Sequence, residues 1–148
     1  MKKLFIFLAV VLIEFSALAQ NTNNILDHYI SLKNALVSGN GKEASSHIAA
    51  LYNTVKEEAN FPQKAALLKS SEKLQKSGDS IEKQRAALND VSIAMWDLVK
   101  GSENADEPVY YQYCPMKKAY WLSYEKEIKN PYYGSSMLTG GKVVETKD

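Results

Sequence analysis

The segment IEKQRAALNDVSIAMWDLVKG, residues 81–101, decides the fold class of this chain. Its apolar residues recur every three or four positions, which is the spacing of one face of an amphipathic helix. This face consists of Ile81, Arg85 or Ala86, Leu88, Val91, Met95, Leu98 and Val99. Gly101 ends the pattern, so the segment predicts one long helix.

Three more helical patterns precede this segment. They are separated by SGNGK at 38–42, by the region before Pro62, and by KSGD at 76–79. Four helices joined by such short loops predict an antiparallel four-helix bundle over about 24–100. We assign residues 20–101 to this bundle.

The loops also carry helix-start signals. Asn40 with Glu43, and Asp79 with Glu82, have the spacing of a capping box. Pro62 suits the first turn of the third helix, where a missing N–H costs nothing. These residues predict where the second, third and fourth helices begin.

The chain changes character after a polar, acidic linker at 102–108. Residues 109–148 are rich in tyrosine and turn-forming residues, and 109–114 and 142–145 read as short strands. We therefore predict a mainly α protein, a four-helix bundle followed by a small irregular C-terminal lobe containing about two short strands that can pair with each other.

The first 19 residues have the pattern of a signal peptide. Lys2 and Lys3 precede the apolar run 4–13, which is too short to span a bilayer, and small residues precede a predicted cut before Gln20. We expect an exported protein, periplasmic or envelope-associated, with no stable membrane insertion after cleavage. The mature chain, 20–148, has the length of a single domain.

Charge and cysteine usage exclude some classes of protein. Lys and Arg number 18 and Asp and Glu 17, and Arg85 is the only arginine, which is not the composition of a nucleic-acid-binding surface. Cys114 is the only cysteine, so no internal disulfide can form. A lone cysteine in an exported chain indicates a functional thiol or pairing between chains, and the alternative is a buried, inert thiol.

The stretch YYQYCPM, residues 110–116, suggests a soft-metal site. In an extended chain Cys114 and Met116 share one face, and Pro115 favours extended geometry at Cys114. A thiolate and a thioether are ligands that copper(I) prefers. Met137, close to the second predicted strand, is a candidate third sulfur. The alternative is that these sulfurs only fill an aromatic core.

Two histidines are further candidate ligands. His28 and His47 fall on the apolar stripes of the first two helices, where they can face each other. A pair of neutral imidazoles binds copper or zinc. The alternative is that each is a partly buried, hydrogen-bonded histidine.

The tail resembles a family of bacterial envelope domains of unknown function. The matching residues are Cys114, Pro115 and Met116, then Trp121, Leu122 and Ser123, then Glu127, Ile128, Asn130, Pro131, Tyr132 and Gly134, then Met137, Leu138 and Gly140. Members also occur at the C-terminal end of periplasmic adaptor subunits of heavy-metal efflux pumps. The resemblance therefore implies copper or related soft-metal handling, and a partner such as an efflux adaptor. This chain departs from the family at Thr139, where the pattern has a second cysteine, and in the short loop between Met116 and Trp121.

We expect a non-enzymatic soft-metal-binding protein linked to heavy-metal handling or efflux. The alternative is a protein–protein interaction module of the envelope without a metal site. A thiol enzyme that uses Cys114 with a histidine base is a weaker third reading, because Pro115 removes an N–H from the usual oxyanion donors.

Overall fold

The computed structural model describes residues 21–103 and 105–148. The helices in this part of the chain are α1 over 21–38, α2 Gly41–Glu57, α3 Lys64–Gln75 and α4 Ile81–Gly101. The strands are β1 Val109–Cys114, β2 Ala119–Ser123 and β3 Lys142–Lys147, with a 3₁₀ helix at Gly134–Ser136. The predicted mainly helical fold with a small C-terminal lobe is confirmed. The predicted signal peptide and its cut before Gln20 lie outside the described residues.

The helices pack around α4, which contacts α2, α3 and β2. The predicted stripe of α4 is buried at Leu88, Val91, Met95 and Val99. No helix among the described residues is both long and apolar enough to cross a membrane.

One helix start is predicted correctly. Asn40 caps α2, since its Oδ1 accepts from the Glu43 N–H at 3.1 Å and its Nδ2 donates to the Glu43 carboxylate at 2.9 Å. This exchange satisfies an N–H that the first helical turn leaves without an intrahelical partner.

The other two helix starts lie later than predicted. Ser80, rather than Asp79, caps α4, and its Oγ accepts from the Lys83 N–H at 3.5 Å. The Asp79 carbonyl packs so closely on Gly41 that a Cβ there would lie 2.2 Å from it. The backbone of Asp79 is thus engaged with the start of α2, and the N-cap of α4 lies one residue beyond it, at Ser80. Pro62 lies in a turn before α3, which begins at Lys64.

The lobe contains three strands rather than two. The sheet has the order β2–β1–β3 and both pairs are antiparallel, so the predicted strands do pair with each other. β2 was missed because the turn at 115–118 contains no glycine or asparagine, and Lys118 instead takes the left-handed conformation with φ 50°. Turns that need positive φ usually contain one of those two residues.

The outer edge of β2 is covered by side chains rather than by another strand. Asn89 of α4 accepts from the Tyr120 N–H at 2.8 Å, and the Tyr29 hydroxyl of α1 accepts from the Leu122 N–H at 3.1 Å. The Tyr132 hydroxyl donates to the Tyr120 carbonyl at 2.5 Å. These bonds satisfy main-chain groups that an edge strand leaves open, and they dock the lobe on the bundle.

Arg85 joins three segments of the chain. Its Nε donates to the Pro131 carbonyl at 2.8 Å, and its Nη2 donates to the Leu36 carbonyl, near the end of α1, at 2.7 Å. Gly134 passes over the guanidinium with φ 55°, and a Cβ at this position would lie 2.6 Å from Nη2. The partners of Arg85 in the described part of the chain are therefore main-chain carbonyls and not a carboxylate.

We expect Arg85→Met to lower the free energy of unfolding by about 3 kcal/mol, because two charge-assisted hydrogen bonds are lost and the Pro131 carbonyl loses the donor that Arg85 supplies. Arg85→Lys should recover little of this, since a lysine cannot present the same fork of donors. Urea titration followed by circular dichroism measures both. Lys83→Met, at an exposed position of α4, is the control. A loss no larger than in this control would show that Arg85 does not join the segments.

Candidate functional site

Cys114, the last residue of β1, lies inside the core. It pairs with Ala119 of β2, and only 1% of its surface is exposed. The thiol is therefore a packed group in the resting fold.

Met116 lies outside the sheet. The chain turns at 115–118 directly after Cys114, and 67% of the Met116 surface is exposed. The Lys117 Nζ lies 5.0 Å from the centre of the Tyr133 ring, a cation–π contact that holds this turn against the lobe. Cys114 and Met116 do not share a face, because Pro115 begins a turn instead of continuing the strand.

Met137 reaches the same end of the sheet by another route. Tyr113 pairs with Lys142, and a Cβ on Gly141 would lie 2.8 Å from the Tyr113 carbonyl. The Met137 sulfur packs on Gly140, and 37% of the Met137 surface is exposed. The turns 115–118 and 137–141 therefore lie at the same end of the sheet. We call this part of the molecule, with Cys114 beneath it, the sulfur end.

The histidines are placed elsewhere. His47 lies on α2, which packs on α3 and α4, and its Nε2 is 3.8 Å from the Glu43 carboxylate one turn away. His28 follows Asp27, whose carboxylate accepts from Tyr124 beyond the far end of β2. That end lies about 13 Å along the strand from Cys114. Among the described residues no three His, Cys, Asp or Glu side chains gather as a metal site would require.

Asn130 organises the Asn-Pro-Tyr-x-Gly segment that carries part of the resemblance. Its Oδ1 accepts from the Tyr132 N–H at 2.8 Å, and its Nδ2 donates to the Gly140 carbonyl at 2.6 Å. Its own N–H donates to the Leu138 carbonyl at 2.7 Å. These hydrogen bonds therefore hold the segment against the turn that carries Met137.

Lys33 is an unusual residue that the sequence analysis did not single out. It lies on α1 with 2% of its surface exposed, and its Nζ donates to the Ser123 hydroxyl at 3.3 Å. Burial lowers its pKa to about 8, and nearby Glu125 opposes part of that effect. The sequence feature that could have revealed Lys33 is its position four residues after Tyr29, which places both residues on the apolar face of α1.

We expect the stability of the protein to rise with pH because of Lys33. Its pKa is about 8 when folded and about 10.4 when unfolded. The unfolded chain therefore binds more protons between these values, and folding gains about 2 kcal/mol between about pH 7 and pH 9.5. Lys33→Met should abolish this rise, whereas Lys42→Met at an exposed position should keep it. Urea titrations across this range measure the slope, and equal slopes in all three proteins would refute the assignment.

The burial of Cys114 predicts a protected thiol. We expect a maleimide to label the native protein slowly, and to label it rapidly in urea, since the reagent must reach a thiolate. Mass spectrometry over time measures both rates. Rapid labelling of the native protein would mean that the thiol is open to solvent.

Residues 25–107 match a family described as "Protein of unknown function (DUF3347)". The match covers most of the helical part and ends before β1, so the tail pattern lies outside it. Searches of curated proteins and of solved structures gave no significant match. Because the matched segment covers more than half of the residues, the chain belongs to this family of unknown function.

Proposed function

We propose that this chain is an exported, non-enzymatic protein of the cell envelope that binds a soft metal ion, copper(I) in particular, at the sulfur end. The observation that supports the proposal is the placement of the turns 115–118 and 137–141 at one end of the sheet. Two exposed thioethers and the buried Cys114 thiol belong to this end. Thioether and thiolate sulfur select copper(I) over hard cations.

Cys114 has to become accessible before it can bind. The turn 115–118 is the element to move, since its side chains are exposed and it is held outside the sheet by the Lys117–Tyr133 contact. The apparent affinity is then lowered by the fraction of molecules in which the turn is closed. Binding through the thiol should therefore be slower than the exposure of the methionines suggests.

Neither histidine has a place in this proposal as a direct ligand, since His28 and His47 are associated with other parts of the fold. We include a protein partner in the proposal because the tail resembles the family whose members also occur at the end of efflux adaptor subunits. The chain would take up or deliver the ion beside an envelope protein such as a metal efflux adaptor, and export through the predicted signal peptide would bring it there.

A copper(I) titration of the exported protein against a competing chelator tests the metal site. We expect Cys114→Ser to abolish binding, because a protonated hydroxyl is a poor copper(I) ligand, while the helical circular dichroism persists. Met116→Leu with Met137→Leu should weaken binding, and Met95→Leu, in the core of α4, should not. Thr139→Cys should tighten binding, because Thr139 is exposed in the same turn as Met137.

Equal competition with the chelator by the wild type and by Cys114→Ser would refute the metal site. The proposal that then explains the structure better is a protein–protein interaction module in which the sulfurs only pack. The burial of Cys114 favours this alternative.

A further inference from the structure

The two edge strands of the sheet differ in whether side chains cover their outer main-chain groups. The edge at β2 is covered by Asn89, Tyr29 and Tyr132. β3 forms the other edge, and in the described part of the chain its backbone forms hydrogen bonds only with β1. An open row of N–H and C=O groups is a template for another strand.

A bulge gives this open edge an ordered charge pattern. Tyr111 pairs with Glu145 and Gln112 with Val143, so Val144 is the extra residue. The bulge therefore puts Lys142, Glu145 and Lys147 opposite Tyr113, Tyr111 and Val109, which alternate along one face of β1. The edge presents a positive, a negative and a positive side chain in a row. None of the three forms an ion pair within the described residues.

A groove of about 360 Å³ lies beside the middle of this row, between α4 and the sheet. Its floor is a stack of Trp96, Tyr111 and Tyr120, with ring centres 4.7 Å apart. Ile93 and Val144 are exposed in the groove, and Asp97, Lys100 and Glu145 are its charged lining residues. Lys100 pairs with Asp97 at 3.6 Å, whereas Glu145 forms no ion pair within the described residues. Apolar contacts beside the unpaired Glu145 carboxylate suit the alkyl stem and charged end of a long basic side chain.

A second copy of this chain fits the edge poorly. Centring two antiparallel β3 strands on Glu145 places like charges opposite each other, Lys142 facing Lys147 and Glu145 facing its own copy. Like charges directly opposite are destabilising across a strand pair. Shifting the strands to pair Lys142 with Glu145 leaves Lys147 outside the overlap.

We infer that the open edge of β3 docks an extended segment of another protein, which adds as a fourth strand and presents acidic, basic and acidic side chains on the groove side. The central basic side chain lies over Ile93 and Val144 and reaches Glu145. The flanking acidic side chains meet Lys142 and Lys147. The bulge limits the number of regular ladder bonds, so this contact belongs to the small, transient class of interfaces.

The test uses the peptide Thr-Glu-Val-Lys-Val-Glu-Thr as a probe. Its control is Thr-Lys-Val-Glu-Val-Lys-Thr, which has the same strand propensity and reversed charges. We expect the first peptide to bind the full chain about ten-fold more tightly at low salt, since three cross-strand charge pairs change sign between the two. Amide chemical shifts should change at 142–147 and around the groove.

A charge exchange makes the test decisive. Lys142→Glu with Lys147→Glu and Glu145→Lys should reverse the preference of the two peptides, and Cys114→Ser should leave it unchanged, which separates this surface from the sulfur end. Equal affinity for both peptides, or shifts at another surface, would overturn the proposal. A concentration-dependent mass in sedimentation with no peptide binding would overturn it in favour of a second copy.

Discussion

The structure depends on hydrogen bonds between helical side chains and the main chain of a sheet that is too small to stand alone. Three strands of five or six residues form a marginal sheet, and its stability requires a hydrophobic face packed on something else. Tyr29 and Asn89 give the outer groups of β2 their partners, and Arg85 does the same for the loop at Pro131. Without these bonds, buried polar groups of the lobe would lose solvent and gain nothing in return.

Local patterns in the sequence account for the helical part. The 3.6-residue period identified the four helices because each must bury one stripe, and the Asn40–Glu43 pair located the start of α2. Asp79 failed as a cap because its carbonyl packs on Gly41, a tertiary contact across 38 residues that no local pattern carries. The long-range roles of Arg85 and Lys33 escaped for the same reason. β2 escaped because its turn uses Lys118 where the turn signals lead one to expect glycine or asparagine.

The candidate site shows a different limit of sequence reasoning. The spacing of Cys114 and Met116 puts the two side chains on one face only if the strand continues through Pro115. Proline is compatible with the start of a turn as well as with an extended chain, so the spacing does not decide between them. The pattern proposed Met137 as a third sulfur, and the antiparallel pairing of β3 with β1 puts the turn before β3 at the Cys114 end of the sheet. It could not say that the thiol lies inside the lobe while the two thioethers lie outside. Helical periodicity placed His28 and His47 on stripes without saying which neighbouring element each stripe would meet.

The hydrogen bonds of Arg85 also show which parts of the chain belong to one structural unit. The family match ends at residue 107, yet Tyr29, Arg85 and Asn89 within it are bonded to groups beyond that boundary. The segment that the family model matches is therefore smaller than the segment that these hydrogen bonds join. Dividing the chain at that boundary would break hydrogen bonds that are buried or half-buried, so the bundle and the lobe form one unit for expression and engineering.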